Sequence, residues 1–297
     1  WCRHETEVWS GTARSAADCP RAGTQPLSAG RAVARFPPAS FNAGDETVKI
    51  AVCIKRVPEM DVTFKIAPTG KAVDETGLKW DMSDFDGYAV EAALQLTEKA
   101  GTGEVHVISL GPDVVQETLR KALSMGVAKA VQLKCDTVPF DAYAIGTALA
   151  AELKDGGYDL IMFGKMSIDG ANGVTQFVVA ELLGLPLVHA CSKLEIADGK
   201  GSARREIEGG GELVSFALPA IVSIDEGIAR PRYPSLKGIM AAKRKPLEGR
   251  PAQLGEVRLT VETMELPPPR AAGRIIGEGA AAVPELVALL QNEAKVL

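Results

Sequence analysis

The sequence predicts an α/β fold: a mostly parallel sheet with helices on both faces, a small antiparallel meander and an extended C-terminal arm. Three observations carry that prediction. Between Val48 and Leu183, apolar strand patterns alternate with helical stripes, which is how βαβ crossovers read. At residues 192–218 the pattern becomes short alternating segments with Gly-rich joints, a meander signal. From Arg230 onward, Pro and basic residues dominate, so this arm cannot bury much of itself.

The elements follow in order. Val48–Ile54, Val105–Leu110 and Tyr158–Phe163 are continuous apolar runs of strand length, the pattern of strands buried on both faces. Gly111 and Gly164 close the last two. From Asp86 to Lys99, Tyr88, Ala89, Ala92, Ala93 and Leu96 form a helical stripe. Val114–Ser124 and Tyr143–Leu153 read the same way, with a short strand at Ala130–Leu133 between them. Val174–Leu183 is a helix stopped by Gly184 and Pro186. Ser192–Ile196, Ser202–Ile207 and Glu212–Leu218 make the meander, and Pro219–Ile224 returns to a buried strand. A last helix is expected at Pro284–Val296.

Composition excludes several classes. Of 297 residues, 46% are hydrophobic and 24% charged, with a net charge of −5. That balance argues against a general nucleic-acid binder. No apolar run approaches the roughly 20 residues of a bilayer span. The cysteines are Cys2, Cys19, Cys53, Cys135 and Cys191, an odd set with no CxxC, so neither a disulfide framework nor a zinc site is expected. With only His4, His106 and His189, histidine-centred metal or triad chemistry has little material. No G-x-G-x-x-G follows a strand, and Gly164-Lys165 lacks the upstream glycine of a P-loop.

Three segments remain as site candidates. The first is the loop Gly164–Gln176, between a strand and a helix, where parallel sheets bind ligands. Gly170 and Gly173 permit positive φ, which lets backbone N–H groups approach an anion. Ala171 and Val174 belong to the same stretch, Thr175 offers a hydroxyl, and Asp169 can accept from a ribose hydroxyl. The plain alternative is an ordinary βα loop with Asn172 as helix cap. The second segment is Trp80–Asp86: Ser83, Asp84 and Asp86 suit the N-terminus of the next helix, and Phe85 suits one wall of an adenine slot. The third is Arg230–Pro246, which mixes Arg232 and other cations with Tyr233, Leu236, Ile239 and Met240. That mixture suits an acidic, partly apolar protein partner; its plain alternative is a solvated basic run.

These features in this order resemble the electron-transfer flavoprotein β subunit. The most specific stretch is Ala203–Ser223, a basic pair, an acid–glycine cluster, Glu212 and then Pro219 opening an apolar strand. Lys55-Arg-Val-Pro58, Glu117–Gly126, Pro231–Met240 and Pro269–Gly273 also match family landmarks. The resemblance runs from Val48 to the end and implies an adenine nucleotide α-hydrolase-like fold. It implies an αβ heterodimer with FAD held mainly by the α subunit. It also implies a structural AMP in the β subunit and electron flow from acyl-CoA dehydrogenases to a membrane quinone oxidoreductase. No side-chain acid, base or nucleophile is then needed, because the flavin carries the redox chemistry. By position, the adenine nucleotide would meet Cys53, Ser83–Asp86, Leu110 and Asp169–Thr175, and the dehydrogenase-recognition loop would be Arg232–Ala242 with Leu236 as anchor. The family commonly has Asn-Pro at Ser83-Asp84 and Gly at Gln176.

The expected organisation is a disordered or non-native leader over 1–46, a nucleotide-binding domain over 47–246 including the loop 230–246, and an arm over 247–297 that packs on a partner subunit. The implied location is the bacterial cytoplasm, or the mitochondrial matrix if the leader is a transit peptide. Two rivals stand beside this reading. One is an electron-bifurcating subunit with its own FAD in the adenine site. The other is a stand-alone adenine-nucleotide-binding protein of the same fold.

Overall fold

A computed structural model describes residues 47–270 and 272–297; the expected leader therefore lies outside the described residues. The chain runs β1 (Lys49–Cys53), β2 (Arg56–Pro58), β3 (Trp80–Met82), α1 (Asp84–Ala100), β4 (Glu104–Gly111), α2 (Val115–Met125), β5 (Lys129–Lys134), α3 (Ala142–Lys154) and β6 (Leu160–Gly164). It continues through α4 (Thr175–Leu183), β7 (Leu187–Ala197), β8 (Lys200–Ile207), β9 (Gly210–Ala217), β10 (Ala220–Ile224), α5 (Leu236–Ala242), β11 (Leu247–Pro251) and α6 (Val283–Asn292).

The main sheet has the order β11-β5-β4-β1-β6-β10-β7-β8-β9. The strands from β11 to β7 are parallel, and β8 and β9 are antiparallel. Strand periodicity of two sends alternate residues to opposite faces. Ile50, Val52, Val107, Leu160, Met162 and Val222 join a core with residues of α1, α2 and α5. Ala51, Cys53, Ile108, Ile161, Phe163 and Ile221 join a second core with residues of α3 and α4. Both faces are covered, which explains why the central strands read as unbroken apolar runs. The predicted fold class, meander included, is the one observed.

The structure revises several boundaries. Leu247–Pro251, expected to begin the arm, is instead the edge strand of the sheet, paired with β5 from Leu247↔Ala130 to Pro251↔Lys134. Lys129–Glu248 (2.6 Å) and Arg250–Glu152 (2.6 Å) pin it there. An edge strand is held by backbone bonds and exposed ion pairs, so no apolar alternation announces it. The hairpin β2–β3 and the helix α5 are likewise absent from the sequence pattern. The rest of the arm returns to its own domain at a few points. Arg258 and Leu259 N–H donate to Asp141 Oδ2 (2.5 and 2.8 Å), and Met264 N–H donates to Gly70 O (2.8 Å). Leu266, Ile275, Val283 and Leu286 stay exposed along it. Among the described residues, no helix is long and apolar enough to cross a membrane.

Candidate functional site

The connection after β1 leads toward β4, and the connection after β6 leads the other way to β7, so adjacent β1 and β6 form the switch point of the sheet. The crevice outside the carboxyl ends of such strands is the expected ligand site. One buried carboxylate ties those two ends together. Asp86, in the first turn of α1, accepts from Lys55 N–H (2.7 Å, Oδ2) and Gly164 N–H (3.1 Å, Oδ1). Burial pushes its pKa up to about 7, against the pull of those two N–H donors and the Lys55 charge. The helix can approach so closely only because Gly164 has no side chain. A Cβ there would sit 2.5 Å from Asp86 Oδ1 and 2.7 Å from the carbonyl carbon of Phe85. Ser109 Oγ donates to Ile54 O (2.7 Å), fixing the end of β1 from the other side.

The loop between β6 and α4 is held from beneath and from the side. Lys55 Nζ reaches both oxygens of Asp169 (2.8 and 2.7 Å). Burial opposes the ionisation of Asp169, but Lys55 outweighs it and holds the carboxyl below its usual range. Ile168 N–H donates to the fully buried Ser83 Oγ (3.3 Å). Gln176, buried at the start of α4, donates its amide to Lys165 O (3.1 Å) and Gly173 O (2.9 Å). The same nitrogen lies 3.3 Å from His189 Nδ1, which is 2.7 Å from Ser223 Oγ. So the glutamine that departs from the family pattern is the staple under the loop. Ala171 (φ 47°) and Gly173 (φ 61°) take the left-handed conformation. That geometry turns successive N–H groups to one side, as in an anion nest. Among the described residues, the N–H groups of Gly173, Val174 and Thr175 donate to nothing in the chain. They head α4, whose dipole favours negative charge.

The predicted cofactor residues are only partly brought together. Ser83, Asp86 and the loop Asp169–Thr175, with Gly170 and Asn172 on its outer turn, share the crevice. Asn172 does not cap α4, whose preceding residue is Val174 without a side-chain cap bond. Asp84 is exposed in the first turn of α1. Phe85 is half-buried and packs edge-on to Tyr88 with centroids 6.1 Å apart. Leu110 is half-buried at the end of β4. The Cys53 side chain points into the core under α3 and α4, and burial raises its thiol pKa far above the usual range; only its backbone borders the crevice. Lys55, His189 and Ser223 lie outside the predicted site segments, and Gly164 and Gln176, the ends of the candidate loop, are not among the residues expected to meet the nucleotide. The glycine closing β6 and the Lys55–Pro58 landmark are the signals that could have found them.

The third candidate segment, residues 230–246, has its own geometry. Tyr233 (93%), Leu236 (84%) and Met240 (63%) are largely exposed, and Ile239 is exposed as well. Ser235 caps α5 by accepting from Gly238 N–H (3.0 Å). Arg232 faces inward instead of joining them: its Nε and Nη2 bind Glu91 (2.8 and 2.9 Å), and its Nη1 binds Glu98 (2.6 Å). Arg232, expected as a partner contact, is thus engaged within the chain, with its side chain 34% exposed.

Residues 71–254 match the electron transfer flavoprotein domain family. The chain is 39% identical over 262 residues to the electron transfer flavoprotein subunit beta of Bacillus subtilis, covering 84% of this chain and 100% of that one. It is 34% identical to the subunit of that name in Syntrophomonas wolfei (84% and 98% covered). It is 35% identical to the mitochondrial one of Oryza sativa subsp. japonica (84% and 100% covered).

Proposed function

Because this chain belongs to the electron transfer flavoprotein β-subunit family, we propose that it pairs with an α subunit and closes over an FAD held mainly by that partner. In this reading it also binds AMP in its own crevice. The observation that supports the nucleotide is the run of undirected N–H groups at Gly173, Val174 and Thr175, set by left-handed Ala171 and Gly173. Three donors at a helix N-terminus suit a phosphate. Asp169, held by Lys55 Nζ at 2.7 Å, keeps an oxygen at the loop edge where a ribose hydroxyl can donate. Asp86 holds the two strand ends in register, and Gln176 and Ser83 hold the loop. FAD, when bound, supplies the electron-carrying chemistry, so this chain needs no acid, base or nucleophile.

The exposed apolar face of α5 is read as the dock for acyl-CoA dehydrogenases, with Leu236 as anchor; electrons then pass to a membrane quinone oxidoreductase. The exposed apolar residues of the arm suit a surface covered by the α subunit. Co-expression with the α subunit, followed by nucleotide extraction, tests the assignment. One flavin and one AMP per heterodimer are expected. Two flavins would replace AMP by a second FAD, and a nucleotide-loaded chain with no affinity for the α subunit would favour a stand-alone binder. Leu236→Ala should slow electron acceptance from the dehydrogenase at unchanged flavin content.

A further inference from the structure

The docking face is carried on a helix of seven residues, too short to keep its shape unaided. Its orientation must therefore come from its contacts with the rest of the domain. At the C-terminal end, Arg120 Nη1 donates to Ala242 O (2.6 Å) and Lys245 O (2.9 Å). Lys245 Nζ donates to Val127 O (2.6 Å) and Leu123 O (3.0 Å). In the middle, Gly238 lies against α2 so closely that a Cβ would collide with Ser124 O.

At the N-terminal end, the tie is Arg232. Its main-chain N–H (3.2 Å) and Nε (2.8 Å) both donate to Glu91 Oε2, and Nη2 donates to Glu91 Oε1 (2.9 Å). The Glu91 side chain is only 4% exposed, so it touches no partner. Its other neighbour is Gln95, whose amide donates to Oε1 (2.8 Å). Planar two-point binding of this kind fixes direction as well as distance. Tyr233, Pro234 and Ser235 alone separate Arg232 from the helix, and Pro234 restricts the backbone of Tyr233 before it.

We propose that Arg232 and Glu91 form an internal clamp that positions the docking helix, so that Arg232 is a positioning residue and not a contact with the partner. The inference rests on the docking role of α5 proposed above. It adds that docking depends on a buried carboxylate on α1 that no dehydrogenase reaches. Without the clamp, the helix keeps its C-terminal tie and the packing of Gly238 on α2 but loses the anchor of the segment that enters it, and each encounter must order Tyr233 and Leu236 anew. Order lost before binding weakens association and leaves electron transfer within the docked complex unchanged.

The test uses the flavin-loaded heterodimer with an acyl-CoA dehydrogenase and its acyl-CoA as electron donor, at low and at moderate salt. Arg232→Ala and Glu91→Gln should each raise the KM for the flavoprotein several-fold with kcat within twofold of the parent. The double variant should be no worse than the stronger single one. Arg232→Lys should recover part of the loss, and the salt dependence of KM should stay that of the parent. Hydrogen exchange at the amides of Gly238 and Ile239 should accelerate in both single variants. The proposal is overturned if Glu91→Gln leaves KM and exchange unchanged while Arg232→Ala raises KM and flattens its salt dependence, the pattern of a direct contact. If Leu236→Ala leaves transfer unchanged, the docking role fails instead. The exchange rates then still decide the clamp: unchanged protection in both variants refutes it.

Discussion

Replacing Gly164 with alanine should unlatch the crevice. The added Cβ would lie 2.5 Å from Asp86 Oδ1 and 2.7 Å from the Phe85 carbonyl carbon and Cβ, where carbon contacts normally sit near 3.5–4.0 Å. All three atoms belong to the first turn of α1, so relief requires moving the helix by about 1 Å. That movement breaks the 3.1 Å bond from Gly164 N–H to Asp86. Overpacking contributes about 1–3 kcal/mol and the lost hydrogen bond about 0.5–1.5, together roughly 2–4 kcal/mol. A domain holds only about 5–15 kcal/mol in total. With an m-value of about 2–3 kcal/mol/M, the urea midpoint should fall by roughly 1–2 M. Gly170→Ala is the control, because its nearest neighbour is Ser167 Oγ at 3.7 Å and its φ is not positive. That variant should stay within about 0.5 kcal/mol of the parent. Equal midpoints for the two variants, by far-UV circular dichroism, would refute the packing argument.

Other substitutions probe the remaining supports. Asp86 holds its proton up to about pH 7 in the folded state against 3.8 ordinarily. Its contribution is therefore complete below about pH 4 and is lost as pH rises through 7, by at most about 4 kcal/mol. Asp86→Asn should remove that slope from urea midpoints measured between pH 4.5 and 7.5; an unchanged slope would exclude Asp86 as its source. Gln176→Ala should lower stability by about 1–2 kcal/mol, speed exchange across residues 165–175 and reduce retained nucleotide. Unaltered exchange would show that the loop holds itself. Asp141 accepts from Tyr143 and Ala144 N–H at the start of α3 and from Arg258 and Leu259 N–H of the arm. Burial opposes its ionisation, but these four donors outweigh it and hold the carboxyl below the usual range. Its contribution is thus present above pH 4 and is lost as pH falls through that lowered value. Asp141→Ala should cost about 1–2 kcal/mol and hasten proteolysis at residues 252–264; equal cleavage rates would leave Asp141 as a cap alone.

Much of the fold is legible in the sequence because the signals are local. The runs at Ile50–Val52 and Leu160–Phe163 have the length and residue types of strands covered on both faces, and the structure buries them so. Helix α1 is readable from its stripe, although it begins at Asp84 and not Asp86. Strand β11 is not readable, because Leu247–Pro251 carries no alternation and is recruited by the open edge of β5. At the site, the loop Asp169–Thr175 is visible as glycines between a strand and a helix. The parts that hold it are not: Lys55 meets Asp169 across 114 positions, and Ser83 meets Ile168 across 85. The tie of Arg232 is hidden for the same reason, since Glu91 lies 141 positions away.

The sequence by itself determined the layered α/β architecture, the glycine loop, the mixture of apolar and basic residues at 230–246 and the family resemblance. Each is written in short-range periodicity or in contiguous motifs. The tertiary structure decided which charges are free and which are bound. It turned Asp86 into the latch of two strand ends, Gln176 into the staple of the loop and Arg232 into an inward tie. Ion pairs and buried hydrogen bonds join residues far apart in the chain, and a charged side chain reads alike in sequence whether it faces water, a partner or a carboxylate on another helix.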